Sequence, residues 1–380
     1  MHDNADPPLT DPMAPDATPS CGSSGTVRCL LLAWMAAGVA SCGGGGSHGS
    51  SAATPTTAVR AEAVVLSGEQ TSRLRQPATT IKAVYGYNEA GHRVDYQQGT
   101  DWLASGQGLA RTANSRLPDF AGYGYTASSG GSFSFSADPR NPPLTIPSQV
   151  YVDYSSSTPD RLVQPAAGAA RHSRVVCLGD SIAAGAHTIA NYFLGTDVDT
   201  YCGLLRNHLG ATAEVLNPSV PGGTLASVLP TLPVLLAARP QTVVLAFGMN
   251  DHVAGSAALP DFEATLLGTV QQAQAAGARV ILVGFIQQNT RWVREDPAQT
   301  LAYNQAINRV ANQRGVAFID IRTVFDRTAP DGNPIESRTG DFMHHPNSFG
   351  HRVYFSLLLP HFLAAPALAS TLPGFVDLTD

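Results

Sequence analysis

From about residue 170 onward, short apolar runs alternate with longer segments of helical periodicity. Turn residues bound each apolar run, which is typical of buried strands, and strands alternating with helices predict βαβ units in a doubly wound parallel sheet. The predicted strands are Val175–Leu178, Ala213–Leu216, Thr242–Phe247, Arg279–Phe285 and Val316–Ile321. The predicted helices are Tyr192–Leu209, Leu225–Ala238, Pro260–Ala276, Gln299–Arg314 and Phe349–Leu363.

The region before this pattern, residues 60–168, is rich in Gly, Ser, Tyr and Thr. Short alternating stretches such as Ile81–Tyr87 and Gln149–Tyr154 are separated by turn residues, which predicts a small all-β domain. Its aromatic side chains fit either a sugar-binding face or the core and edges of strands, and the second interpretation is favoured. These residues are Tyr85, Tyr87, Tyr96, Trp102, Tyr123 and Tyr125.

Residues 1–42 have the pattern of an export signal rather than of a fold. Arg28 precedes the apolar run Cys29–Ala40, and small residues follow it, as in a secretory signal peptide. Residues 39–42 also look like a bacterial lipobox, in which Cys42 would become the lipidated first residue of the mature chain. The acidic stretch before Arg28 is unusual for a signal, so translation could begin nearer Met13. We expect an exported protein, secreted or held in the bacterial cell envelope.

Composition narrows the choice of partners. The 380 residues include 29 acidic and 23 basic side chains, a net charge of −6, and only 14% of residues are charged. This argues against nucleic-acid binding, which normally needs a basic surface. No apolar run approaches the roughly 20 residues of a membrane-spanning helix, so membrane contact is expected only through a lipid anchor at Cys42. Residues 43–59, rich in Gly, Ser, Ala, Thr and Pro, predict a flexible linker.

Two cysteines, Cys177 and Cys202, remain once residues 1–41 are removed and Cys42 is lipidated. They either pair in an oxidising compartment or stay as buried thiols. The chain contains neither a C-x-x-C nor an H-E-x-x-H pattern. The sequence therefore predicts no metal site.

Polar residues suited to acyl transfer follow the predicted strands. Gly179-Asp180-Ser181 follows the first strand, Gly222-Gly223 the second and Gly248–Asp251 the third, and Asp341–His345 comes after the last. Doubly wound sheets bind ligands beyond the carboxyl ends of their strands. The four segments are therefore expected to meet in one site.

These residue types match the needs of a serine hydrolase. A serine hydroxyl such as that of Ser181 requires a histidine base, which a carboxylate such as Asp341 orients. The backbone N–H groups of Ser181 and Gly222 and the side-chain amide of Asn250 are the predicted oxyanion donors. Of the adjacent His344 and His345, only one can face Ser181. The spacing of three residues from Asp341 favours His344, and His345, which precedes Pro346, is the alternative.

The four segments together resemble the blocks of the SGNH (GDSL-type) hydrolases, with residues 169–370 as the hydrolase domain. The resemblance implies a three-layer α/β/α flavodoxin-like sandwich with a parallel sheet, no cofactor, and ester hydrolysis through an acyl-serine intermediate. Two departures stand out: Ile182 occupies a position that is often Leu, and two histidines are adjacent where His-Pro often follows Asp-x-x directly. There is no G-x-S-x-G motif of an α/β-hydrolase elbow.

Further residues near these blocks have expected supporting roles. Asn217 and Gly223 are expected to shape the glycine turn, and Asp251 and His252 are expected to cap an element or lie at the surface rather than line the pocket. The loop Gln287–Glu295, which contains Trp292, is expected to border the acyl or alcohol site.

The expected activity is hydrolysis of short-chain acyl esters, above all acetyl esters, of carbohydrates or small molecules. Two alternatives use the same catalytic set: an O-acyltransferase that acts on envelope sugars, and a lipase. The lipase is disfavoured because no long apolar insertion separates the blocks. A third alternative is a non-enzymatic binding protein of the envelope, but this interpretation requires that the complete set of candidate catalytic residues has no function.

Overall fold

The computed structural model describes residues 57–121, 126–127, 133–134, 146–158, 173–290, 296–327 and 335–363. The predicted signal and lipobox, together with Tyr123, Tyr125 and Trp292, lie outside the described residues. The strands are β1 Thr57–Val64, β2 Ser72–Arg73, β3 Ala78–Tyr87, β4 Arg93–Tyr96, β5 Trp102–Ser105, β6 Gly108–Arg111, β7 Thr126–Ala127, β8 Phe133–Ser134, β9 Val150–Ser156, β10 Ser173–Gly179, β11 Ala213–Leu216, β12 Thr242–Ala246, β13 Arg279–Val283 and β14 Ala317–Ile319. The α-helices are α1 Ser181–Ala184, α2 Ile189–Leu194, α3 Tyr201–Leu209, α4 Leu225–Val228, α5 Leu232–Ala237, α6 Leu259–Ala275, α7 Pro297–Arg314, α8 Ile321–Arg327 and α9 Ser348–Leu358.

Five strands form a parallel sheet in the order β11-β10-β12-β13-β14. Val176 of β10 lies opposite both Leu216 of β11 and Val243 of β12, which sets the register at the centre of the sheet. This is the 2-1-3-4-5 order of flavodoxin-like folds, whose switch point lies between the first and third strands. Helix α9 contacts α3 and α8, and helix α6 contacts α4 and α7, so helices form two separate groups. The predicted α/β/α fold is confirmed.

The parallel strands are apolar because both faces of the sheet are covered. Val244 of β12 and Ile281 and Leu282 of β13 have no exposed surface. Helix α7 buries Tyr303 and Ile307 in the same core. The apolar runs in the sequence therefore mark the sheet correctly, although β12 ends at Ala246 and β13 at Val283, slightly before the predicted ends.

Two predicted helices are each divided in the structure. The segment Tyr192–Leu209 forms α2 and α3, because Gly195 at φ 63° ends α2 and Thr200 caps a new helix. The segment Leu225–Ala238 forms α4, a 3₁₀ turn and α5, with a proline in the first turn of each of the last two. Proline lacks the backbone N–H that donates the i to i−4 hydrogen bond inside a helix, so it is favoured in the first turn of a helix and disfavoured in its interior. The short helices α1 and α8 lie outside the predicted helices.

The region before the parallel sheet contains three antiparallel sheets, in the orders β1-β9-β3-β4, β2-β6-β5 and β7-β8. The predicted small all-β region is confirmed, and β1 begins at Thr57, inside the predicted linker. Tyr85 and Trp102 are buried, as a core interpretation requires, whereas Tyr87 and Tyr96 are half-buried.

The β region shares an apolar core with the parallel-sheet region. Tyr85 and Tyr151 belong to the same buried cluster as the central strands. The ring of Tyr87 lies 6.0 Å from that of Phe193, and Arg352 of α9 donates a hydrogen bond to the carbonyl of Ala61. The two regions are therefore packed against each other through apolar and polar contacts.

Cys177 of β10 and Cys202 of α3 form a disulfide, and both residues are fully buried. Of the two alternatives that the sequence left open, pairing is the one that the structure shows. The disulfide closes a segment of 25 residues that carries Ser181. None of the described helices combines the length and apolarity needed to cross a membrane.

Candidate active site

Ser181 is placed by the sharp turn that joins β10 to α1. Asp180 caps α1, and its Oδ1 accepts the N–H of Ile182 at 2.9 Å. Gly179 permits the close approach of β10 to β12, because a Cβ there would lie only 2.7 Å from the carbonyl oxygen of Ala246. Burial raises the pKa of Asp180 to about 7, despite the backbone N–H bonds that oppose the rise. The turn thus presents Ser181 beyond the end of β10.

A chain of two short hydrogen bonds joins Ser181, His345 and Asp341. His345 Nε2 lies 2.8 Å from Ser181 Oγ, and His345 Nδ1 lies 2.7 Å from Asp341 Oδ2. With its proton on Nδ1, His345 would donate a hydrogen bond to the Asp341 carboxylate, and its Nε2 would accept the hydroxyl proton of Ser181. The preference for His344 as the histidine that faces Ser181 is therefore wrong, and the alternative, His345, occupies that position.

The conformation of the Asp341 turn explains why spacing could not choose between the histidines. Asp341 Oδ1 accepts the N–H groups of Met343, His344 and His345 at 2.9 to 3.1 Å, and Phe342 adopts a left-handed φ of 61°. The chain is therefore wrapped around the carboxylate. His344 Nδ1 also comes within 3.0 Å of Oδ2, so both rings reach the same oxygen, and only the direction of the turn selects His345 for Ser181.

The electrostatics of this group favour a neutral base beside an ionised acid. Burial alone would raise the pKa of Asp341, but His344 and His345 lower it well below its usual value. Burial lowers the pKa of His345, and His344 adds to this while Asp341 opposes it. The ring of His187 stacks on that of His345, with centroids 5.0 Å apart and planes inclined by 22°.

The three predicted oxyanion donors are held near one another by two hydrogen bonds. The N–H of Val220 donates to the carbonyl of Gly179 at 3.0 Å, which ties the glycine turn to the strand end before Ser181. Asn250 Nδ2 donates to the carbonyl of Gly223 at 3.0 Å and keeps a second amide proton for another acceptor. Gly222 has a left-handed φ of 74°, which favours glycine.

These donors lie at the switch point of the sheet. Ser181 follows β10 and Asn250 follows β12, the two neighbouring strands between which the direction of winding reverses. This is where open α/β sheets leave a crevice for ligands. The order of the strands therefore brings the predicted nucleophile, Ser181, and the predicted amide donor, Asn250, to one edge of the sheet, although 69 positions separate them in the chain.

The other residues that the sequence singled out have supporting positions. Asn217 Nδ2 donates to the carbonyl of Ala183 in α1 at 2.9 Å, and its Oδ1 accepts from Ser219 Oγ at 2.7 Å in the segment that leads to the glycine turn. Asp251 accepts the N–H groups of Leu225 and Gly248, as expected of a capping residue. His252 is not at the surface: it is buried, and its Nδ1 lies 2.6 Å from the carbonyl of Met249.

Two residues that hold the Asp341 turn were missed as contributors to the site. Gln149 of the β region donates from Nε2 to the carbonyl of Thr339 at 2.6 Å and accepts from Asn347 Nδ2 at 3.1 Å. Asn289 donates from Nδ2 to the carbonyl of Phe342 at 3.0 Å. Asn289 lies in the predicted border loop Gln287–Glu295, but no pattern in the sequence distinguishes Gln149 from other glutamines.

One group of potential metal ligands occurs within the described ranges of the chain. Donor atoms of His187, Asp341 and His345 all lie within 4.8 Å of one another. Both ring nitrogens of His345 already serve the bonds to Ser181 and Asp341. A metal ion here would replace the serine–histidine–aspartate arrangement rather than support it.

Comparison with known proteins gives a family match and a curated relative. Residues 177–353 match the GDSL-like Lipase/Acylhydrolase family. The chain is 33% identical to Esterase TesA of Pseudomonas aeruginosa over 150 residues, which is 38% of this chain and 68% of TesA.

Two solved structures are also similar. LAE5, an alpha/beta hydrolase enzyme from the metagenome of Lake Arreo, is 23% identical over 50% of this chain and 95% of LAE5, with a TM-score of 0.42. Axe2, an acetylxylan esterase from Geobacillus stearothermophilus, is 18% identical over 52% of this chain and 100% of Axe2, with a TM-score of 0.42. The family match and the identity to TesA confirm the resemblance drawn from the four blocks: the chain belongs to the GDSL-like lipase/acylhydrolase family of ester-bond hydrolases.

Proposed function

We propose that this protein hydrolyses short-chain acyl esters, above all acetyl esters, of carbohydrates or small molecules through an acyl-serine intermediate. The observation that carries the proposal is the continuous arrangement of Ser181, His345 and Asp341, with hydrogen bonds of 2.8 and 2.7 Å. Such an arrangement activates a serine hydroxyl, which is otherwise a weak nucleophile.

The proposed reaction begins when neutral His345 accepts the hydroxyl proton of Ser181 at Nε2 while Oγ attacks the ester carbonyl carbon. The carbonyl π electrons move to oxygen, and the Ser181 and Gly222 N–H groups and the Asn250 amide stabilise that charge. The tetrahedral intermediate collapses to the acyl-serine, and imidazolium His345 protonates the departing alkoxide. Asp341 stabilises the imidazolium without taking its proton.

Water completes the proposed cycle. His345 removes a proton from a water molecule while the water oxygen attacks the carbonyl carbon of the acyl-serine. A second oxyanion forms and is stabilised by the same donors. Collapse releases the carboxylic acid and returns the proton to Ser181 Oγ. An acyltransferase would follow the same course with a sugar hydroxyl in place of water, so deacylation is the step at which the two activities differ.

A small acyl group is supported by the way the blocks are connected. Within residues 173–290 and 296–327, the chain between the blocks consists of the sheet strands, their helices and short connections, with no long apolar insertion. A lipase needs extended apolar surface to bind a long acyl chain. The proposal therefore favours acetyl and similarly short groups.

The test compares p-nitrophenyl acetate with longer-chain p-nitrophenyl esters for the wild type and for Ser181→Ala, His345→Ala and His344→Ala. We expect the first two changes to lower kcat by about 10³-fold or more. His344→Ala is the matched control and should keep kcat within about tenfold, because His345 and not His344 is hydrogen-bonded to Ser181.

Three results would count against parts of the proposal. Full activity in Ser181→Ala would exclude the acyl-serine route. A rate that rises with acyl-chain length would favour a lipase. With an acetylated substrate and an added sugar acceptor, ester loss in excess of free acid would show transfer to the sugar and favour the acyltransferase.

We also propose that the protein is exported, in line with the predicted signal segment and with the buried Cys177–Cys202 disulfide, since disulfides persist mainly in oxidising compartments. Expression of the full chain in a bacterial host, followed by fractionation, tests this. If the protein is exported and lipidated, the wild type should be bound to the membrane. The Cys42→Ala variant should then be released from the membrane or should keep its signal segment. Recovery of a reduced protein from the cytoplasm only would contradict it.

A further inference from the structure

A cavity of about 420 Å³ lies in the β region, apart from the proposed catalytic residues. Neither Ser181 nor His345 lines it. Three half-buried aromatic residues from different segments do: Tyr87 at the end of β3, Tyr96 at the end of β4, and Phe120. Its volume falls within the range of roughly 300–1,000 Å³ that is typical of sites for small ligands.

The charged side chains around this cavity limit the ligands that it can hold. Glu89, Asp119 and Arg116 contribute to the lining. Arg116 is already paired with Asp101 at 2.6 Å, and Asp119 with Arg111 at 2.6 Å. An anionic ligand would be repelled, because it would meet two carboxylates and a guanidinium that is already paired. A neutral ligand with hydroxyl groups avoids this repulsion and can donate hydrogen bonds to the exposed carboxylate of Glu89.

The remaining lining combines aromatic rings with polar side chains. Asn88 and Ser148 add amide and hydroxyl groups beside the rings of Tyr87, Tyr96 and Phe120. A purely apolar ligand such as an acyl chain would cover the charged side chains of Glu89 and Arg116 without bonding to them. A pyranose ring has apolar C–H faces that pack on aromatic rings and hydroxyl groups at its edge that bond to amides, hydroxyls and carboxylates. We propose that this cavity binds a neutral sugar chain.

The cavity adjoins the segments that hold the Asp341 turn. The ring of Phe120 stacks on that of Phe342, with centroids 5.8 Å apart and planes inclined by 12°. Phe342 follows Asp341 directly, and Ser148 precedes Gln149, which bonds to Thr339. A sugar chain in the cavity would therefore lie against residues that contact the Asp341 turn. If the proposed function holds, binding in the cavity would anchor an acylated glycan beside the proposed active site.

The test uses neutral β-linked hexasaccharides without ester groups, namely xylohexaose, cellohexaose and chitohexaose, in titration calorimetry with the full chain. Because these sugars carry no ester, their binding does not depend on the proposed hydrolase activity. We expect saturable binding of at least one of them. Tyr96→Ala should weaken it about tenfold or more, since an aromatic contact in a binding site is worth about that factor.

A second variant and a control keep the result interpretable. Glu89 is exposed, so Glu89→Ala should leave the fold intact and still weaken binding by removing a hydrogen-bond acceptor from the cavity wall. Tyr192 is an exposed tyrosine outside the cavity, so Tyr192→Ala should bind as the wild type does. The proposal is overturned if no hexasaccharide binds at millimolar concentration, or if binding is unchanged in both Tyr96→Ala and Glu89→Ala.

Discussion

Gln149 connects the β region to the turn that carries Asp341 and His345, and its replacement tests whether that region contributes to the site. The residue is 2% exposed. Its Nε2 donates to the carbonyl of Thr339 at 2.6 Å, and its Oε1 accepts from Tyr151 Oη at 2.8 Å and from Asn347 Nδ2 at 3.1 Å. Gln149→Leu keeps a side chain of similar size but removes all three bonds.

The size of the effect follows from the burial of the three partners. Thr339, Tyr151 and Asn347 each have no exposed surface, so water cannot replace the lost bonds. A buried polar group without a partner costs about 1–3 kcal/mol. The Tyr151 hydroxyl is left without its partner, whereas Asn347 Nδ2 still donates to the carbonyl of Ser337 and the Thr339 carbonyl still accepts the N–H of Phe342. One unpaired hydroxyl and two lost bonds worth about 0.5–1.5 kcal/mol each predict a loss of about 3 kcal/mol in the free energy of unfolding. This is a large part of the roughly 5–15 kcal/mol of a typical domain.

Urea unfolding followed by circular dichroism measures this loss, and hydrolysis of p-nitrophenyl acetate measures its effect on the site. Because Thr339 and Asn347 flank the catalytic turn, we expect kcat to fall about tenfold or more through misplacement of His345. Gln70→Leu is the matched control, since Gln70 is exposed. A loss below about 1 kcal/mol together with an unchanged kcat would refute the view that Gln149 holds the turn.

Three further predictions concern the base, the oxyanion donors and the disulfide. Because burial lowers the pKa of His345 and the base must be neutral, kcat/KM for p-nitrophenyl acetate should rise with pH through a midpoint below 6.5 and then level off; a flat profile from pH about 4 to 8 would contradict a histidine base. Asn250→Ala should lower kcat by about 10²–10³-fold with a small change in KM, and an unchanged kcat would remove this amide from the oxyanion site. The double change Cys177→Ala and Cys202→Ala frees a closed segment of 25 residues, so urea unfolding should show a loss of about 3.5 kcal/mol; a loss under about 1 kcal/mol would contradict the loop-entropy reasoning.

The sequence alone was sufficient for the parallel sheet and for the choice of chemistry. Strands that are buried on both faces must be apolar throughout, so β10 to β14 stand out as short apolar runs. The carboxyl ends of parallel strands share one edge of a sheet, so Ser181, Gly222 and Asn250 could be assigned to one site from their positions after successive strands. The four segments that follow the predicted strands also predicted the family to which the chain belongs.

Only the tertiary structure decided which histidine faces Ser181 and what holds the turn around it. Spacing specifies which residues can reach a carboxylate, but both His344 and His345 reach Asp341 Oδ2, and the choice depends on how the chain wraps around Oδ1. Gln149 is about 190 positions from Thr339 in the chain, and such contacts depend on how two regions pack. Local sequence patterns record the burial and turn preferences of neighbouring residues, whereas contacts between distant segments are set by packing of the whole fold.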